Sequence, residues 1–279
     1  MQTTVTVLSD NYVGKSGLIG EHGFCAMIER GPEKYLWDTG FGISLPHNLK
    51  ALGKNLKGLN GIVLSHGHYD HTGGLKWAVR ESDRPKIVAH SAVFSQHMAL
   101  NRSDPHEAPH YIGCPYSRRE LEELGAAFHF VTQTQEIYPG IWFLTEIDRI
   151  EAQMSTDPHL VIQKDDKYIP DSIEDDSSLL LEVDGSPLLI LGCSHAGVLN
   201  ILDHVKHKMG IHNLSAVLGG THLMFSKTGN MQTFIDRLEE FSIGMIAVSH
   251  CTGFDAAVEL ADHFGERFVL GSVGSIFTF

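Results

Sequence analysis

Ser65-His66-Gly67-His68-Tyr69-Asp70-His71-Thr72-Gly73-Gly74 decides the reading of this chain. Four side chains of metal-ligating type, His66, His68, Asp70 and His71, crowd into six residues. Ile62-Val63-Leu64 before them has the character of a buried strand, and Leu75-Lys76-Trp77-Ala78 after them opens an amphipathic helix, so the donors sit at a strand-to-helix junction. Alternation on leaving the strand sends His66 and His68 to the same side, toward one metal ion. Asp70 and His71, past the turn, suit a second ion nearby. Imidazole and carboxylate suit zinc, iron or manganese, with imidazole favouring the first two.

Three later segments repeat the theme. Leu188–Gly192 runs into Cys193-Ser194-His195-Ala196-Gly197, Ser215–Gly219 into Gly220-Thr221-His222-Leu223, and Met245–Ser249 into His250-Cys251-Thr252-Gly253. A single histidine at a strand end is ordinarily a satisfied polar residue. Three of them beside the first motif meet a different requirement, because a metal site needs ligands that converge from separate strands. The loops after His71, His195 and His250 each precede an expected helix. Their free N–H groups can face an anion, or the Thr and Gly residues can serve capping alone; both readings stay open.

Further out, the chain alternates short β-rich runs with amphipathic stretches. Strands are expected at Thr3–Ser9, Phe24–Glu29, Lys34–Asp38, Gly61–Ser65, Lys86–Ala89 and Phe128–Val131, then at Ile141–Glu146, Ser178–Val183 and Phe268–Ser272 besides the three just named. Helices are expected at Ser44–Leu52, Leu75–Glu81, Arg118–Leu124, Val198–Met209, Gln232–Phe241 and Ala256–Phe264. Early strands in hairpins and later ones in βα units predict two packed sheets flanked by helices. Two segments break the rhythm. Asn101–Pro115, with three prolines, two histidines and a cysteine, reads as a loop, either a lid over a pocket or an inert surface turn. Thr156–Ser177 is polar and carries Glu174-Asp175-Asp176, a solvated run or a source of a metal ligand. No linker separates two domains.

The pattern HxHxDH resembles the signature of the metallo-β-lactamase superfamily, and the likeness runs over nearly the whole chain. Glu21-His22-Gly23-Phe24 and Trp37-Asp38-Thr39-Gly40 look like its early strands and acidic turn. The blocks GCxHAG, GGxHL and HCTG resemble, within it, the branch of dihydropterin–ribofuranosylaminobenzene phosphate synthase-like proteins. The resemblance implies a single domain over residues 1–279, an α/β four-layer αββα sandwich of two mixed sheets flanked by helices, with a lid insertion near 101–127. It implies two divalent ions, zinc first and manganese or iron as alternatives, held by His66, His68, Asp70, His71, His195 and His250. Asp38 is then a buttress behind the ligands. His222 takes the place of a general acid near the leaving group, and Asp70 serves the chemistry as well as the metal. The superfamily's usual bridging Asp is missing where this chain has Gly192-Cys193, which leaves Cys193, His195 or Asp176 to replace it.

The implied activity is hydrolysis by a metal-bound hydroxide, on a phosphoester, a phosphodiester or a pterin phosphate-type small molecule. A lactone or thioester hydrolase, or a metal-bound sensor without turnover, is the alternative. Composition narrows the rest. In 279 residues the net charge is −13, and 21 Lys and Arg are too few and too scattered for duplex nucleic acid, so a small anionic molecule is the expected partner. Of the 18 histidines about half fall at the places described. Four cysteines without a CxxC pair suit reduced intracellular thiols. No apolar run reaches the ~18 to 20 residues of a spanning helix, and Met1–Asp10 has no signal-peptide pattern, so a cytoplasmic protein is expected. Oligomeric state stays open, with a homodimer among the options.

Overall fold

The computed structural model describes residues 2–101, 103–104, 106–150, 157–165, 167–225 and 231–279. Arg102 and Pro105 of the first expected loop, and Thr156 and Asp166 of the second, lie outside them.

One seven-stranded sheet has the order β20 (Ile276–Thr278), β1 (Thr3–Ser9), β2 (Cys25–Arg30), β3 (Glu33–Trp37), β4 (Gly61–Val63), β5 (Lys86–Ala89) and β8 (Ala127–Phe130). The other runs β19 (Phe268–Leu270), β18 (Ile246–Ser249), β16 (Ala216–Gly220), β14 (Leu188–Leu191), β13 (Ser178–Leu181), β10 (Ile141–Leu144) and β9 (Gln135–Tyr138). Both are mixed. The hairpins lie at β1–β2–β3 and β9–β10–β13–β14. Parallel pairing joins β3, β4, β5 and β8 in one sheet and β14, β16, β18 and β19 in the other.

Side-chain alternation builds three apolar layers from these strands. Ala26 and Ile28 of β2 face inward with Trp37, Val63, Leu188, Ile190 and Leu218, filling the space between the sheets. Cys25 and Met27, one residue out of phase, face outward against Leu45 and Leu49 of α1 (Ser44–Ala51), Leu75 and Val79 of α3 (Leu75–Glu81) and Leu121 of α4 (Arg118–Glu123). Leu189 and Leu191 face the other way, against α5 (Val198–Met209), α6 (Met231–Glu239) and α7 (Phe254–Phe264). Strands covered on both faces read as continuous apolar runs, and Leu188-Leu189-Ile190-Leu191 is one. The result is helix, sheet, sheet, helix. The single-turn α2 (Tyr69–Thr72) lies between β4 and α3.

A third sheet was not legible as such. β6 (His97–Ala99), β7 (His110–Tyr111), β11 (Leu160–Lys164) and β12 (Lys167–Pro170) pair in the order β12-β11-β6-β7. The polar segment expected as a loop at 156–177 therefore contributes a hairpin, and 101–115 contributes a two-residue edge. β12 is exposed along its length and β7 is too short for alternation, so neither leaves an amphipathic trace. Ala99, Leu100, Asn101, His110 and Ile112 line the cavity at the end of the sandwich, whereas Leu121 and Ala126 belong to the core beneath. A short pair, β15 (Asn213–Leu214) and β17 (Ser242–Ile243), closes the bottom. Among the described residues no helix is long and apolar enough to cross a membrane.

Candidate metal centre

Parallel strands deliver the C-terminal ends of both sheets to one edge of the sandwich. There β4 ends into His66-Gly67-His68, β14 into Cys193-Ser194-His195, β16 into Thr221-His222 and β18 into His250-Cys251. The ends are held by hydrogen bonds to backbone carbonyls. Trp37 donates its indole N–H across the sheets to the Leu191 carbonyl at 3.1 Å, Phe24 N–H donates to the Asp70 carbonyl at 3.2 Å, and Thr39 N–H to that of His71 at 2.8 Å. Left-handed backbone occurs at Asp38, Ser194, His222 and His250, with φ of 57°, 61°, 57° and 49°. Such conformations cost on the order of 1–3 kcal/mol each and persist where surroundings impose them.

The donor atoms form overlapping groups. Those of His66, His68 and His195 lie within 4.8 Å of one another, as do those of His66, His71 and Cys193, of Cys193, His195 and His222, of Cys193, His250 and Cys251, and of His22, Asp70 and His250. His66 Nε2 is 3.0 Å from His68 Nδ1 and 3.3 Å from His195 Nε2. Asp70 Oδ2 is 3.1 Å from His250 Nε2, 3.2 Å from His22 Nε2 and 3.9 Å from His71 Nε2. All but His22 and His222 are buried.

This donor set fits metal ions. Three imidazole nitrogens converge with few protons to share, an arrangement a cation between them resolves. Burial drives His68 down to about 3 and holds His66 and His195 well below the ordinary histidine value, with neighbouring imidazoles adding to the effect, so these rings are neutral and free to ligate. His68 Nε2 and both ring nitrogens of His222 are buried without a hydrogen-bond partner. Burial opposes charge on His71 too, but the Asp38 and Asp70 carboxylates outweigh it and lift that ring to about 9 in the metal-free protein.

Asp38 stands where a buttress is needed. Its Oδ2 accepts from His71 Nδ1 at 2.7 Å and from Ser65 Oγ at 2.7 Å, and its Oδ1 accepts from Ser65 N–H at 2.7 Å. That fixes the His71 ring with Nε2 directed at the cluster.

Asp176 is not among the donor groups. Its Oδ2 accepts from Ala196 N–H at 2.8 Å, and it lines a separate cavity on the far side of that loop. The reason is a turn. Asp176 N–H donates to the Ile173 carbonyl, and the carboxylate that reaches the metal loop is instead Asp175, whose Oδ2 accepts from Gly67 N–H at 2.6 Å. His222 lies in the cluster with Cys193 and His195, so its ring is as well placed to ligate as to donate a proton.

Four participants escaped the sequence reading. His22 approaches Asp70 from an exposed loop. Asp10 accepts from His250 N–H at 2.7 Å, and Asn11 Oδ1 lies 2.9 Å from His250 Nδ1. His97 stacks edge-on to His68 at 5.0 Å and is paired with Asp171 at 2.6 Å. Little in their local sequence marks them, because each meets its partner at the site across 29 residues or more; only Asp10 carries a signal, a carboxylate at the end of an expected strand.

The site opens into a cavity of about 430 Å³. Asp70, His68, His195, His222, His250 and Cys193 lie on its floor, and Ala99, Leu100, Ile112, Leu160 and Phe225 form an apolar wall. Its described lining contains no lysine or arginine; His22, His110 and His159 are the basic groups outside the floor.

The sequence model of the metallo-β-lactamase superfamily matches residues 18–199. The chain belongs to the metallo-β-lactamase superfamily. An uncharacterised protein of Methanocaldococcus jannaschii is 31% identical over 275 residues, covering 98% of each chain. The 7,8-dihydropterin-6-methyl-4-(β-D-ribofuranosyl)-aminobenzene-5'-phosphate synthase of the same organism is 28% identical over 285 residues, covering 99% of this chain and 96% of that one. Among solved structures, a metal-dependent hydrolase of the β-lactamase superfamily superposes with a TM-score of 0.82 at 22% identity, covering 99% of this chain and 98% of the other. The four-layer architecture is thus that of the superfamily.

Proposed function

We propose that this superfamily member is a metal-dependent hydrolase of small phosphoesters, with a phosphate-bearing molecule that also carries an aromatic or heterocyclic body as its substrate. The carrying observation is the two-sided cavity: a floor of metal donors, a wall of aliphatic and aromatic side chains, and no lysine or arginine among the described lining residues. An anionic head without guanidinium or ammonium partners must be neutralised at the floor, and its organic part has apolar surface to cover. The likeness to a synthase whose named product is an aminobenzene phosphate bearing a pterin supports the same class.

His66, His68 and His195 would hold one ion, and Asp70, His71 and His250 a second. When bound, the pair supplies Lewis acidity and a water of lowered pKa. The chain's own residues do the rest. Asp38 keeps His71 in one tautomer through Nδ1. Asn11 Oδ1 accepts from His250 Nδ1 and holds that ring with Nε2 toward Asp70, and His22 approaches the same carboxylate from the cavity side. His222, on the cavity floor beside Cys193 and His195, would give a proton to the leaving oxygen. The apolar wall keeps bulk water from the organic part of the substrate.

The test uses protein stripped by chelator and reloaded with zinc or manganese, assayed on bis-p-nitrophenyl phosphate, p-nitrophenyl phosphate, a lactone and a thioester. Phosphoester cleavage that disappears with chelation and returns with metal supports the reading. Turnover of the lactone or thioester alone overturns the phosphate assignment, and a fully loaded protein that cleaves none of them overturns hydrolysis.

A further inference from the structure

Two ions held by adjoining donor sets can share a protein ligand, and the end of β14, where a carboxylate would be expected, has Gly192-Cys193 instead. The question is which side chain lies between the two sets. Asp176 lines a separate cavity, its Oδ2 accepts from Ala196 N–H, and it is in none of the donor groups. His195 is taken up in the three-histidine group. The strand ends cannot carry an acid: a Cβ on Gly192 would fall inside the Ser65 side chain, and one on Gly220 would sit 2.5 Å from the Gly192 carbonyl and 2.6 Å from Cys251 Sγ. His222 shares a group with Cys193 and His195 only.

Cys193 is different. Its Sγ belongs with His66 and His71, with His195 and His222, and with His250 and Cys251, so it reaches donors of both sets. His71 Nε2 is 3.1 Å from that sulfur. From these contacts we infer that Cys193 Sγ is the shared ligand of the two metal positions, a thiolate in place of the carboxylate, with the Cys251 thiol directly behind it. The small volume at Gly220 is what makes room for the Cys251 sulfur at this point. A thiolate here selects soft, thiophilic ions over hard ones, so zinc and cobalt are held where magnesium and calcium are not. The inference rests on the dinuclear reading above.

Titration of metal-stripped protein with cobalt(II) separates the two. A shared thiolate gives a sulfur-to-cobalt charge-transfer band in the near ultraviolet that grows through both equivalents. The band falls several-fold in Cys193→Ser and survives in Cys25→Ser, a buried thiol of the outer core. Cobalt d–d bands without charge transfer in the wild-type chain overturn the thiolate while leaving the dinuclear centre standing. A band that saturates at one equivalent, or that is lost in Cys251→Ser and kept in Cys193→Ser, overturns the shared role. Failure to bind cobalt at all overturns both. The wild-type titration decides even where a serine variant folds poorly.

Discussion

At the scale of single residues, the centre depends on groups that touch no substrate. Asp38 is fully buried, and three hydrogen bonds converge on its carboxylate. Asp38→Asn keeps the volume but replaces one acceptor oxygen by a donor, which no longer fixes His71 Nδ1–H. Metal affinity is expected to fall about 10- to 100-fold, the usual cost of losing such a partner, as read by competition with a chromophoric chelator. His222→Ala should leave both ions bound and abolish most turnover. If dialysed His222→Ala instead loses an ion, the ring is a ligand, as its place beside Cys193 and His195 also allows. Of the site residues, His66, His68, Asp70 and His71 are legible at once because four metal donors within six residues have no ordinary structural use. His22, Asn11 and His97 were not, because each is a lone polar residue whose partner lies far along the chain.

At the scale of elements, α5 offers two clean tests away from the metal. Its C-terminal Gly210 adopts φ of 70° with nothing within 4 Å of a would-be Cβ. Gly210→Ala should therefore cost about 1 kcal/mol from backbone strain alone, measured as a shift in urea midpoint at constant slope. His204, on the same helix, has Nε2 2.9 Å from Thr134 Oγ1, and burial followed by the nearby Lys208 charge holds it below its ordinary 6.5. The sign follows directly. Between the depressed folded value and 6.5 the unfolded chain binds more protons, so stability rises with pH there. The contribution is complete above about 6.5 and is lost as pH falls through the folded value. His204→Gln should flatten the acid limb of the stability profile in that window. Helices and central strands were legible because amphipathic period or continuous apolar runs mark them. β7 and β12 were not, since two residues carry no period and a fully exposed strand buries no face.

At the scale of the whole molecule, stability and function share the same edge of the sandwich. Ile190 is fully buried between the sheets, one strand end away from Cys193. Ile190→Ala should cost about 2–5 kcal/mol through lost burial and a residual cavity, seen in thermal melts, with metal stoichiometry retained. Removing metal should have a global effect too. A ligand at about 1,000 times its Kd adds about 4 kcal/mol by mass action, so chelation should lower the melting temperature well beyond buffer effects, and zinc should restore it. An unchanged melting temperature after verified metal removal would count against the donor groups as a site.

Two packed sheets flanked by helices and the first four donors can be read from residue order, because alternation, apolar runs and a dense local motif are properties of neighbours along the chain. Residue order also places His195, His222 and His250 at strand ends. Which of these converge, that Asp175 rather than Asp176 meets the Gly67 N–H, and that Cys193 has donors of both sets around it emerge from folding alone. Those outcomes depend on the stagger of parallel strand ends and on left-handed residues that set where each loop leaves its strand, and neither is written in the residues on either side.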